Sequence, residues 1–178
     1  MAQIEKIVEK WYCSGNGKRE IARMIVMENA HKSSSHVQVQ VEEVIFHKVE
    51  ELLNLKFEKN KKIYLADNAF TYMQPDFYSV ENCVVGEIFA HIGKPKKAQD
   101  NKIANDILKM LLLEKKTGKQ HRKIIVVCDL AEKKKLEGQS VLAESIRQFG
   151  IEVMYVKVCE DLQKQILEAQ ELQRMTNV

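Results

Sequence analysis

Only two prolines and seven glycines interrupt the 178 residues of this chain, which excludes collagen-like and proline-rich low-complexity architectures. No apolar run approaches the roughly 18 residues of a membrane-spanning helix. Met1-Ala2-Gln3-Ile4-Glu5-Lys6 lacks the apolar core of a signal peptide, so a cytoplasmic protein is expected. Cysteines are few and scattered. Cys13, Cys83, Cys128 and Cys159 form no Cys-x-x-Cys pair and have no histidine at zinc-knuckle spacing, so free thiols are expected rather than a disulfide framework or a zinc site. Charge of one sign is also scarce. A net charge of +3 does not by itself argue for nucleic acid.

What is present is an ordinary globular balance, with 45% hydrophobic and 30% charged residues in a length suited to one domain, 1–178, with its own core. The charge is unevenly spread. Residues 94–123 hold ten Lys or Arg against Asp100, Asp106 and Glu114, so the segment carries +7 and the remainder −4. Such a stripe suits a phosphate backbone, with Lys94, Lys96, Lys97 and Lys109 as candidate contacts. A lysine-rich helix face turned to solvent is the competing reading.

Ile4, Val8 and Trp11, and then residues 18–31, predict an amino-terminal helical addition over 1–36. Val37, Val41, Val44, Ile45, Val49 and Leu52 predict a first core helix. Short apolar and aromatic runs between Lys62 and Gly93 predict an antiparallel meander. A helix over 97–116 follows, burying Ile103, Ile107, Leu108, Leu111 and Leu112, and Gly118 ends it. Ile124-Ile125-Val126-Val127-Cys128 reads as a strand covered on both faces. A helix reaching Phe149, a strand from Ile151 to Val158 and a terminal helix with Leu162, Ile166, Ala169 and Leu172 complete an α/β chain with a parallel crossover.

Two acids stand out against this background: Asp76 in Gln74-Pro75-Asp76-Phe77 and Glu87 in Val84-Val85-Gly86-Glu87-Ile88-Phe89. A turn near Val80-Glu81-Asn82 would place them on adjacent antiparallel strands. Convergent carboxylates suit a hard cation, Mg²⁺ or Mn²⁺, which polarises a phosphate and activates water. A nearby lysine would offset the charge that grows on phosphorus. Gln99, Lys102 and Asp106 share one helix face, close to an anion-favouring amino terminus. Glu87, Phe89 and His91 should likewise point one way from their strand.

These residues resemble the PD-(D/E)XK nuclease superfamily over about residues 37–130. Pro75-Asp76 is similar to its first half-motif and Glu87-Ile88-Phe89 to its second, with Phe89 where the family carries its lysine. The resemblance implies a restriction-endonuclease-like core of helix, three-stranded antiparallel meander, helix and parallel strand, followed by a helix-strand-helix extension over 131–178. It implies metal-dependent phosphodiester hydrolysis in nucleic acid, DNA in the first instance. Asp76 and Glu87 would be the metal ligands and Lys102 the displaced lysine, while Gln99 would orient phosphate or water. Branches of the superfamily add a glutamate from the first helix. Glu42, at the edge of the apolar stripe, matches it better than Glu43 or Glu50 on the opposite side.

Because Phe89 replaces the lysine, an inactive nuclease-fold module that binds nucleic acid or protein is the alternative. A third reading is an interaction module whose charges serve solubility. Gly15-Asn16-Gly17-Lys18 lacks the remaining glycine and the Ser or Thr of a phosphate loop. Asp129, after an apolar strand, reads as a cap for the following turn.

Overall fold

The computed structural model describes residues 34–176 apart from residue 69 and residues 94–96. The expected amino-terminal helices lie outside the described residues, as do Lys94 and Lys96. The described residues form a mixed α/β fold of five helices and two sheets.

The first helix, α1 (Ser34–Leu53), buries Val41, Ile45 and Val49, which follow one another at four-residue spacing along a single face. Leu52, expected on that stripe, is exposed. The helix ends there, and Asn54 takes the left-handed conformation (φ 51°) that stops it.

The single meander expected between residues 62 and 93 is divided between two sheets. Strands β1 (Ile63–Tyr64) and β2 (Tyr72–Met73) pair only with each other, whereas β3 (Phe77–Ser79) and β4 (Val84–Phe89) open the main sheet as an antiparallel pair. The cause lies in the residues between. Pro75 has no amide to donate and follows Met73 closely, so the β2 ladder cannot run on into β3. Leu65 and Met73 of the small sheet are still buried, packed with Tyr78, Val85, Met110 and Leu113.

After β4 come α2 (Lys97–Thr117) and β5 (Arg122–Val127), which lies parallel to β4. Where one helix was expected before Phe149 there are two, α3 (Leu130–Leu136) and α4 (Val141–Gln148). Gly138 separates them, and Ser140 caps α4 by accepting the Ala143 amide at 3.1 Å. Strand β6 (Ile151–Tyr155) pairs parallel to β5 and α5 (Glu160–Thr176) closes the order. The main sheet runs β3-β4-β5-β6. Among the described residues no helix is long and apolar enough to cross a membrane.

Alternation along the strands sorts the core into two sides. Val84, Ile88, Ile124 and Val126 meet α1 and Ile166 of α5. Phe89, Ile125 and Val127 meet Ile103 and Ile107 of α2, Leu136 of α3 and Ile146 of α4. Each such residue contributes about 1.5–3 kcal/mol by leaving water. Helix α2 uses a different stripe from the one its leucines suggest. Ile103, Asp106, Ile107, Met110 and Leu113 are buried, while Leu108 and Leu112 are 63% and 43% exposed. A helix presents only one arc to a sheet, and this arc carries Asp106 inward.

Gly86 faces Phe77 across the β3–β4 pair, and a methyl group built there would overlap the Phe77 ring. Gly86→Ala is therefore expected to cost about 1–3 kcal/mol in urea denaturation. With Phe77→Leu added, the combined loss should be smaller than the sum of the two, because both act on one contact.

Candidate active site

The β3–β4 register brings the two acids of the motif together. Phe77 pairs with Gly86, so extending the ladder by one residue sets Asp76 opposite Glu87. Opposite residues on antiparallel strands share a face. Asp76 Oδ2 accepts the Ile88 amide at 2.6 Å, and the Asp76 and Glu87 carboxyls hydrogen-bond each other.

Glu87 is 7% exposed and is joined from α2 by Asp106, 3% exposed. Three carboxyls thus bear on one another with little water between them. Burial, followed by the negative fields of Asp76 and Asp106, pushes Glu87 up to about 9; Lys109 and Lys102 pull the other way. Asp76 is raised as well, by burial first, against the Ile88 amide, Lys102 and the bond to Glu87. At neutral pH Glu87, the acid raised to about 9, keeps its proton beside Asp76.

Lys102 acts electrostatically on both acids, and its Nζ stands 5.0 Å from the centre of the Phe89 ring. The helix lysine therefore lies over the side chain that fills the expected lysine position. Phe89 itself belongs to the α2-side core.

Asp106 is a buried acid of this site that sequence reasoning passed over. It was seen to share a face with Lys102, but an acid between Ile103 and Met110 did not register as buried. Its Oδ1 accepts from Lys109 Nζ at 2.8 Å, and its Oδ2 is buried without a hydrogen-bond partner among the described residues.

Other expected contributors lie elsewhere. Glu42 sits on α1, which packs against the side of β4 that carries Val84 and Ile88, and the groups acting on Asp76 and Glu87 come from α2 instead. On the same helix Glu43 pairs with Lys59 and His47. Glu50, expected to face outward, is buried and accepts the Phe57 amide at 3.2 Å. Asp129 caps α3 through the Ala131 amide at 2.7 Å and also accepts the Gly93 amide at 2.7 Å. Gln99 and His91 line a recess at the carboxyl end of β4, together with Phe89 and Lys102.

The basic stripe does not form one exposed surface. Lys123 is buried against Glu114 (2.6 Å), Lys109 turns to Asp106, Lys116 pairs with Asp67 and Arg122 with Glu152 (2.8 Å). Lys97, Lys102, Lys115 and Lys119 remain exposed.

Comparison with family models, with curated proteins and with solved structures found no match.

Among the described residues no three acids, histidines or cysteines are arranged as a ready metal cage. Mg²⁺ does not require one, because it binds through one or two carboxylates and keeps several waters. Asp76 and Glu87 offer only oxygen donors, the kind a hard cation takes, but with Asp106 they do not form a group that could hold one as they stand.

A carboxyl whose pKa is raised by folding binds its proton more tightly in the native state, so its contribution to stability falls as pH rises from about 4.5 towards 9. Glu87→Gln keeps the neutral shape and removes that loss. In EDTA the variant should melt above wild type at pH 8, by on the order of 1–3 kcal/mol, with the advantage vanishing near pH 4.5. Melting curves at both pH values test this.

Proposed function

We propose that this chain is a metal-dependent phosphodiesterase of nucleic acid, with Asp76 and Glu87 as its cation-binding pair. The carrying observation is the apposition of those two carboxyls beside Lys102, with Glu87 buried and Asp76 held by the Ile88 amide. The helix, antiparallel pair, helix and parallel strand that run from α1 to β5 support the nuclease resemblance, although β1 and β2 stand outside the main sheet.

Bound Mg²⁺ or Mn²⁺ would polarise the phosphate and lower the pKa of an attacking water. The chain supplies the rest. Asp76 is held in place by the Ile88 amide, and Glu87 is fixed on β4 in the opposing fields of Asp106 and of the Lys109 bonded to it. Lys102, anchored over Phe89, brings positive charge to the phosphoryl oxygens as they gain charge in the transition state. Gln99 lies one turn earlier on α2 and lines the recess that Lys102 also lines. With much of the basic stripe paired internally, backbone binding rests on the exposed lysines at the start of α2, and affinity should fall with salt less steeply than ten free cations would give.

Phe89 favours the second reading, a nuclease-fold module that binds nucleic acid without cutting it, because a ring cannot replace the lysine's charge. Cleavage of labelled single- and double-stranded DNA and RNA with Mg²⁺ or Mn²⁺ separates the two. The proposal expects cleavage that is abolished in Asp76→Asn. Lys102→Ala should lower kcat roughly a hundredfold to a thousandfold with little change in binding. Salt-sensitive binding with no cleavage of any substrate would give the chain to the second reading, and equal losses in kcat and affinity would remove the role given to Lys102.

A further inference from the structure

Lys102 serves two places at once, since besides acting on Asp76 and Glu87 it lines a recess of about 170 Å³ at the carboxyl end of β4. Phe89, Ile103 and Ile166 give this recess apolar walls, and Gln99, Lys102 and Glu132 give it polar ones. Glu132 is 5% exposed, and neither of its carboxylate oxygens has a hydrogen-bond partner among the described residues. Its nearest cation, Lys135 Nζ, stands 4.0 Å from Oε1. Burial raises its pKa, Lys135 opposes this, and Asp100 and Asp129 add to it.

A buried carboxylate without hydrogen-bond donors costs stability, and the long ion pair with Lys135 offsets only part of it. The cap of α3 is Asp129, and the adjacent core closes around Leu136. Glu132 has the character of a group kept for donors that arrive from outside. The recess is well below the ~300 Å³ of pockets for drug-sized ligands, and one wall is an aromatic side chain, so it suits a single flat heterocycle. Two carboxylate oxygens side by side match two adjacent N–H donors. The Watson–Crick edge of guanine presents such a pair, whereas adenine and cytosine set one donor beside an acceptor.

We propose that this recess is a nucleobase subsite that selects guanine through Glu132. Its place in catalysis rests on the phosphodiesterase reading, in which a base in the recess sets its own phosphate towards Lys102 and the Asp76–Glu87 pair. The binding itself needs neither metal nor cleavage.

The test is calorimetric titration of the full chain with guanosine, inosine and adenosine in EDTA. Inosine keeps the N1–H of guanosine but lacks its amino group. Guanosine should bind roughly tenfold to a hundredfold more tightly than either of the others. Glu132→Gln should erase that preference while melting no lower than wild type. A wild type that binds none of the three, or binds them equally, overturns the subsite. Because no bond is cut in this assay, its failure leaves the cleavage reading standing, and absent cleavage leaves guanosine binding to be judged alone.

Discussion

Two carboxyl groups set against each other in a β-sheet cannot both carry charge away from water, and the local structure is arranged around that constraint. Asp76 and Glu87 meet because the β3–β4 ladder makes them opposite residues. The proton that Glu87 keeps relieves the repulsion, and the Ile88 amide fixes Asp76. Helix α2 then brings Asp106 and two lysines to the same point, so that the charges offset one another in part. Removing either lysine leaves the acids poorly compensated.

The register of α2 adds a third acid to this site. Its buried arc runs through Ile103, Ile107, Met110 and Leu113, which places Asp106 inward and leaves Leu108 and Leu112 in solvent. Apolar periodicity alone favours burying the leucines. The structure instead satisfies an apolar contact with Phe89 and Ile125 and a polar contact with Glu87 from one helix face. Lys102, near the start of that face, links the acid pair to the recess at the end of β4.

How far the sequence was legible follows from the range of each signal. Residues 124–128 announce a buried central strand by their own composition, although the strand starts earlier, at Arg122, and α2 declares its ends through its period and Gly118. Asp76 and Glu87 could be paired from spacing, because a short antiparallel connection nearly dictates the register. The division of β1–β2 from β3–β4 could not be read, since separate sheets and a continuous meander share the same alternation of apolar residues. Asp106 and Glu132 were missed for a related reason. Burial of an acid is decided by the helix's rotation against neighbours distant in sequence, and no local pattern reports that rotation. The basic stripe misled in the opposite direction, because Lys109, Lys116, Arg122 and Lys123 find acids that a linear count cannot bring near them.

We propose that the proton kept by Glu87 beside Asp76 holds the place of a hard cation. Titration of Mn²⁺ into the wild type and Asp76→Asn, followed by calorimetry in buffers of different ionisation heat near pH 7, tests it directly. The account predicts that the wild type binds Mn²⁺ and releases about one proton as it does so, and that Asp76→Asn loses both effects. Absence of binding to the wild type, or binding that survives undiminished in Asp76→Asn, would contradict it.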